Sequence, residues 1–127
     1  MARHRPDQLS PVERLREICL ALPETTERPT HGEAGFFIRD KKLFVTLDDH
    51  HHGAEHLAFW CAAPPGAQAA CVGHNPVRYF RPPYVGHRGW LGVRIDDDDP
   101  PWDEIAEVVR DAYRQVAPKS LAARLGA

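Results

Sequence analysis

The chain has 127 residues, 43% of them hydrophobic and 27% charged, with a net charge of -2 and a sequence pI near 6.4. That length suits a single domain over residues 1–127, with an ordered core of about 10–125, able to bury roughly two-thirds of its unfolded surface without staples. The charge excludes a surface that is a nucleic-acid footprint throughout, because strong non-specific binders are basic overall.

The first helix is announced by Ser10-Pro11-Val12-Glu13, a capping box with proline at the first helical position. Val12, Leu15, Ile18, Cys19 and Leu22 then recur on one helical face until Pro23 stops the pattern. A polar connection runs from Glu24 to Glu33. Gly35 to Arg39 and Leu43 to Asp48 read as strands joined through Asp40-Lys41-Lys42. In the second of these, alternation sets Leu43, Val45 and Leu47 on one side and Phe44 and Thr46 on the other. A third apolar run, Leu57 to Cys61, completes an antiparallel meander, given such short connections.

Pro64-Pro65-Gly66 opens a short helix through Ala67, Ala70 and Cys71 that closes near Gly73. Two further strands are expected around Val77 to Arg81 and Gly89 to Ile95. Asp96 to Asp99 precedes Pro100-Pro101, where negative charge complements a helix dipole. Trp102, Ile105, Val109, Tyr113 and Val116 then mark one face of the longest helix, which ends before Pro118, and Lys119 to Leu125 supplies a further turn. The order is α-β-β-β-α-β-β-α: an α+β domain with a single antiparallel sheet and packed helices.

Cys19, Cys61 and Cys71 form no C-x-x-C pair and cannot all be paired within one chain, which points to a reduced, cytoplasmic setting. No apolar run approaches the roughly 18 residues of a membrane span, and no signal h-region follows the N-terminus, so neither export nor a membrane partner is expected. Walker loops, G-x-G-x-x-G, H-E-x-x-H and G-x-S-x-G are absent, which removes the common cofactor and hydrolase signatures.

Between Glu55 and Asp96 there is no acidic residue, and this gap holds Arg78, Arg81, Arg88 and Arg94 interleaved with Tyr79, Phe80, Tyr84 and Trp90. Phosphate contacts and base stacking both use that composition. Arg78, Arg81, Tyr84, His87, Arg88 and Trp90 are therefore the expected nucleic-acid or anion-binding residues. The competing structural reading makes Tyr79, Phe80 and Trp90 core residues and has the arginines answer Asp96 to Asp99.

His50, His51, His52 and His56 invite a metal, but consecutive residues on a loop tip rarely supply four ligands with outer support, so no metal site and no cofactor is expected. All three cysteines read as small core residues.

Thr30-His31-Gly32 with Phe36, Lys42-x-Phe44, Arg81-Pro82-Pro83-Tyr84 with Gly89-Trp90, and Tyr113 with Ala117-Pro118-Lys119 occur in an order that resembles the MmcQ/YjbR family of small bacterial proteins, from Val12 to Leu125. The chain departs from that pattern at Ala34, where the family often has proline. The resemblance implies an arrangement similar to the CyaY-like and secretion-chaperone-like folds, and it carries the label DNA-binding. It also singles out His31 as a ligand-contact candidate, against a reading in which His31 merely satisfies backbone groups in a turn shaped by Gly32.

The leading expectation is a small cytosolic, non-enzymatic domain that binds DNA or another anionic ligand through the arginine and aromatic segment. A protein-interaction or small-ligand adaptor using the sheet face is the alternative, and an enzyme using His31 is the third.

Overall fold

The structure, a computed structural model, describes residues 9–49 and 56–125. Helix α1 (Pro11–Leu20) begins at the expected capping box: the Glu13 N–H donates to Ser10 Oγ at 3.2 Å, and the Ser10 N–H donates to Glu13 Oε1 at 3.0 Å. Two donors that a helix start leaves without partners are thereby satisfied. Leu15 and Cys19 on its inner face are fully buried.

The strands are β1 (Thr25–Thr30), β2 (Glu33–Ile38), β3 (Lys42–Asp49), β4 (Leu57–Cys61), β5 (Tyr79–Phe80) and β6 (Leu91–Arg94). They form one sheet in the order β1-β2-β3-β4-β6-β5, every neighbouring pair antiparallel. Helix α2 (Ala67–His74) lies between β4 and β5, and α3 (Trp102–Val116) and the single turn α4 (Lys119–Ala122) follow β6. The fold is α+β with one antiparallel sheet, as the sequence predicts, and among the described residues no helix is long and apolar enough to cross a membrane.

One element differs in kind. The expected polar connection from Glu24 to Glu33 contains β1, which pairs with β2 along its whole length. Its sequence, Thr-Thr-Glu-Arg-Pro-Thr, lacks apolar alternation because it is an edge strand held by polar contacts. Arg16 of α1 grips Glu27 with two bonds of 2.7 and 3.0 Å, and Arg28 reaches Asp40 at 2.8 Å while its guanidinium lies 3.8 Å above the Phe37 ring. Pro29 and the charged side chains suit an edge that must not recruit another strand.

The β1–β2 turn has His31 at φ 52° and Gly32 at φ 82°. Two consecutive positive φ values make a two-residue turn whose twist matches the flanking strands. That turn fixes where His31 projects.

Strand β3 breaks the predicted alternation. Its register with β2 slips, Phe36 pairing with Val45 and Phe37 with Leu43, so Phe44 is an extra residue. Such a bulge re-aims side chains. Phe44 meets Tyr113 of α3 edge to face, with ring centroids 5.5 Å apart, while Leu43 joins Thr46 in lining a cleft on the sheet. Phe44 and Thr46 therefore do not share a side, and neither do Leu43 and Val45 in the simple period-two sense.

Tyr113 is fully buried and donates its hydroxyl to the Pro23 carbonyl at 2.6 Å, tying α3 to the end of α1. Ile105, Val109 and Ala112 complete the buried face of α3. The three cysteines are free, Cys19 and Cys61 buried and Cys71 partly so, and burial pushes each thiol above its ordinary range. They are packing residues in this structure, with no thiolate character that would mark a nucleophile.

Candidate binding cleft

Trp60 of β4 pairs directly with Thr46 of β3, so both side chains leave the sheet on the same face. The segment after β5 crosses that face before returning as β6. Its path is set by two backbone features. Tyr84 adopts φ 65°, and a 3-10 turn over Gly86–Arg88 ends on Gly89 at φ 85°. Gly86 packs closely against Arg81: a Cβ there would lie 2.6 Å from Arg81 Cγ, so the arginine side chain would have to shift. The Gln68 amide of α2 holds the segment down, donating to the carbonyls of Gly86 at 2.8 Å and Trp90 at 2.6 Å.

Between this segment and the β1–β2 turn lies a cleft of about 550 Å³. Trp60 and Trp90, each 6% exposed, contribute to its lining with Leu43 and Thr46; Thr30, His31 and Glu33 stand at the turn side, and Tyr84, Val85 and Arg88 at the other. The size is that of an ordinary small-ligand site, and the lining has the expected mixture of aromatic surface with a few polar groups. Tyr84 is 71% exposed. The Arg88 guanidinium sits 5.7 Å from the Trp90 ring centroid, and among the described residues it makes no ion pair. Glu33 supplies a carboxylate, one oxygen of which accepts from the Asp49 N–H at 2.8 Å.

The expected site residues divide. His31, Tyr84, Arg88 and Trp90 come together in the cleft. Arg81 and His87 are exposed on the same segment outside its lining. Arg78 is elsewhere. It forms a two-bond pair with Asp97, both at 2.8 Å, and donates to the Arg94 carbonyl at 2.6 Å. The hydrogen bond from Arg78 holds the Asp97 carboxyl below its usual range. Arg94 is likewise occupied, donating to the Val77 carbonyl at 3.0 Å with its guanidinium 4.6 Å from the Phe80 ring centroid. For Arg78 this is the arrangement in which an arginine answers the acidic stretch before α3.

Sequence reasoning missed Trp60, Leu43 and Thr46 as cleft residues. Leu57 to Cys61 is apolar throughout, so nothing in it separates the residue facing the cleft from those facing the helices. The Thr46 pairing that identifies Trp60 is non-local. Among the described residues His31 makes no hydrogen bond, and no three His, Cys, Asp or Glu side chains gather as metal ligands. His56 pairs with Asp96 at 3.4 Å, while His50, His51 and His52 lie outside the described residues.

Fold and cleft together define a class: an α+β domain whose single antiparallel sheet carries, on one face, a cleft lined by two tryptophans. The YjbR family model matches residues 20–115, and the chain belongs to that family. Its fold is similar to the crystal structure of Deinococcus radiodurans protein DR2400, which carries a DUF419 domain. The TM-score is 0.70 at 20% identity, covering 92% of this chain and 91% of that one. No curated protein matches the chain.

Proposed function

We propose that the chain is a non-enzymatic binding domain of the bacterial cytosol whose cleft takes an anionic ligand bearing a flat ring. The observation that carries this reading is Arg88. It stands at a cleft lined by Trp60, Trp90 and Tyr84, and no carboxylate among the described residues answers its charge. A ring entering there meets Tyr84, the largely exposed aromatic of the lining, and an anion attached to it finds a guanidinium suited to carboxylate or phosphate. DNA is one anion of this chemistry, offering a base to the cleft and a phosphate to Arg88. Arg78 has no part in the contact, being engaged by Asp97.

The test is a titration with thymidine 5′-monophosphate, monitored through backbone amide shifts of the isotope-labelled protein. Shifts confined to the neighbourhood of His31 and residues 84–90 are expected, with Arg88→Ala weakening the affinity about tenfold or more, the usual scale for losing a charge-assisted contact. Failure of the nucleotide to perturb these residues at millimolar concentration would reject the reading. Shifts that persist unchanged in Arg88→Ala would reject the role of Arg88.

A further inference from the structure

Beside the cleft lies a second depression, of about 690 Å³, which shares Leu43, Val85, Arg88 and Trp90 with it. The residues they share are the common wall, or ridge, between the two, and Arg88 is its exposed, charged member. The far side is lined by Lys42 at the start of β3 and by Gln115 and Val116 at the end of α3, with no acidic residue. Lys42 is exposed and makes no ion pair among the described residues. Glu33, the one carboxylate in the cleft lining among the described residues, does not line this second depression.

From this arrangement we infer that the site continues over the ridge to a second anion subsite at Lys42, and that the ligand is a short stretch of single-stranded nucleic acid. The inference rests on the cleft reading above and extends it. A flat ring occupies the cleft, and the chain attached to it crosses Arg88 and places its next phosphate at Lys42. Two cations on one side of a ring-sized cleft suit a repeating chain in which every unit carries both a ring and a phosphate. A duplex keeps its rings stacked inside and cannot present one to the cleft without unpairing it. Stacking on aromatic side chains beside a cationic track is how single strands are held without sequence readout.

The experiment is fluorescence anisotropy with a labelled eight-nucleotide oligothymidylate, the same length as a duplex, and thymidine 5′-monophosphate as a competitor. It is run from 50 to 200 mM salt on the wild type, Lys42→Ala, Arg88→Ala and, as a cation outside the site, Lys119→Ala. Two phosphate contacts on a single strand predict a log–log salt slope of about -1.4, or a loss of about sevenfold across that range. In Lys42→Ala the slope should fall to about -0.7, a loss of about threefold, while Lys119→Ala should behave as wild type. The oligonucleotide should bind more tightly than either the duplex or the monophosphate.

A Lys42→Ala protein with the wild-type affinity and slope, alongside an impaired Arg88→Ala, would confine the site to the cleft and overturn the second subsite alone. Equal or tighter duplex binding would overturn the single-strand assignment. Indifference of binding to both substitutions would remove the cleft reading as well.

Discussion

Arg78 and Arg88 lie in one acid-free stretch, and each has an aromatic neighbour nearby in sequence, yet the fold uses them in opposite ways. Arg78 is enclosed: its side chain is 14% exposed, it bonds Asp97 twice, and it reaches the Arg94 carbonyl. Arg88 is exposed beside Trp90 at the cleft, with no carboxylate among the described residues paired to it. The difference lies in the neighbours that strand pairing gives each of them. β5 runs along β6, so Arg78 arrives beside the acidic residues after β6, whereas the loop carrying Arg88 is lifted over the open sheet face by Tyr84 and Gly89. Composition locates a basic stretch; only pairing decides which of its charges remain for a ligand.

The comparison breaks most visibly if Arg78 is removed. Arg78→Ala leaves Asp97 and the Arg94 carbonyl without their partner and should destabilise the fold by about 2 kcal/mol, the scale of a lost bond to a charged group. Urea denaturation would measure it, and thymidine 5′-monophosphate affinity should be unchanged. Acid adds a signature. The Asp97 pKa is depressed below 3.8 in the folded state by the hydrogen bond from Arg78. A depressed carboxyl contributes stability above its unfolded pKa and loses it as pH falls through the folded value. Wild type should therefore lose stability more steeply than Arg78→Ala below about pH 4, and the two curves should converge there. Parallel curves down to pH 2 would show that the pair has no linkage to stability.

A smaller effect should come from Gln68, which holds the segment carrying Arg88 through its backbone and is not itself in the cleft lining. Its amide bonds to the Gly86 and Trp90 carbonyls are replaceable by water in Gln68→Ala, so the cost should be about 1 kcal/mol. Because the same bonds set the cleft wall, nucleotide affinity should fall in this variant although Arg88 is intact. Amide exchange of residues 84–90 should speed up with it. Loss of stability without loss of affinity would mean that the wall keeps its shape unaided.

Much of the fold was legible in the sequence wherever the determinant is local. The capping box at Ser10 and Glu13 and the helical face from Ile105 to Tyr113 are short-range patterns, and both appear as expected. β1 escaped because an edge strand stabilised by Arg16, Arg28 and their carboxylates needs no apolar alternation. Phe44 escaped because a bulge changes facing without changing composition. The positions that resemble the YjbR family divide in an instructive way: Phe44 and Tyr113 meet in the core, whereas Thr30, His31, Tyr84 and Trp90 surround the cleft. Their separation along the chain hid the site until the sheet brought the β1–β2 turn beside the loop after β5.

The smallest expected effect is on the stability of Arg88→Ala. The side chain is exposed, its contact with Trp90 is at 5.7 Å, and an exposed cation–π contact is worth about 0.5–1 kcal/mol at most. Side-chain entropy regained by truncation offsets part of that. Urea midpoints of the two proteins should agree within about 0.5 kcal/mol, as for most surface substitutions. A near-null in stability together with a large loss of nucleotide affinity is the signature of a residue kept for a ligand. The reverse pattern, a fall comparable to that of Arg78→Ala, would make Arg88 a second structural arginine and erase the distinction between the two ends of the segment.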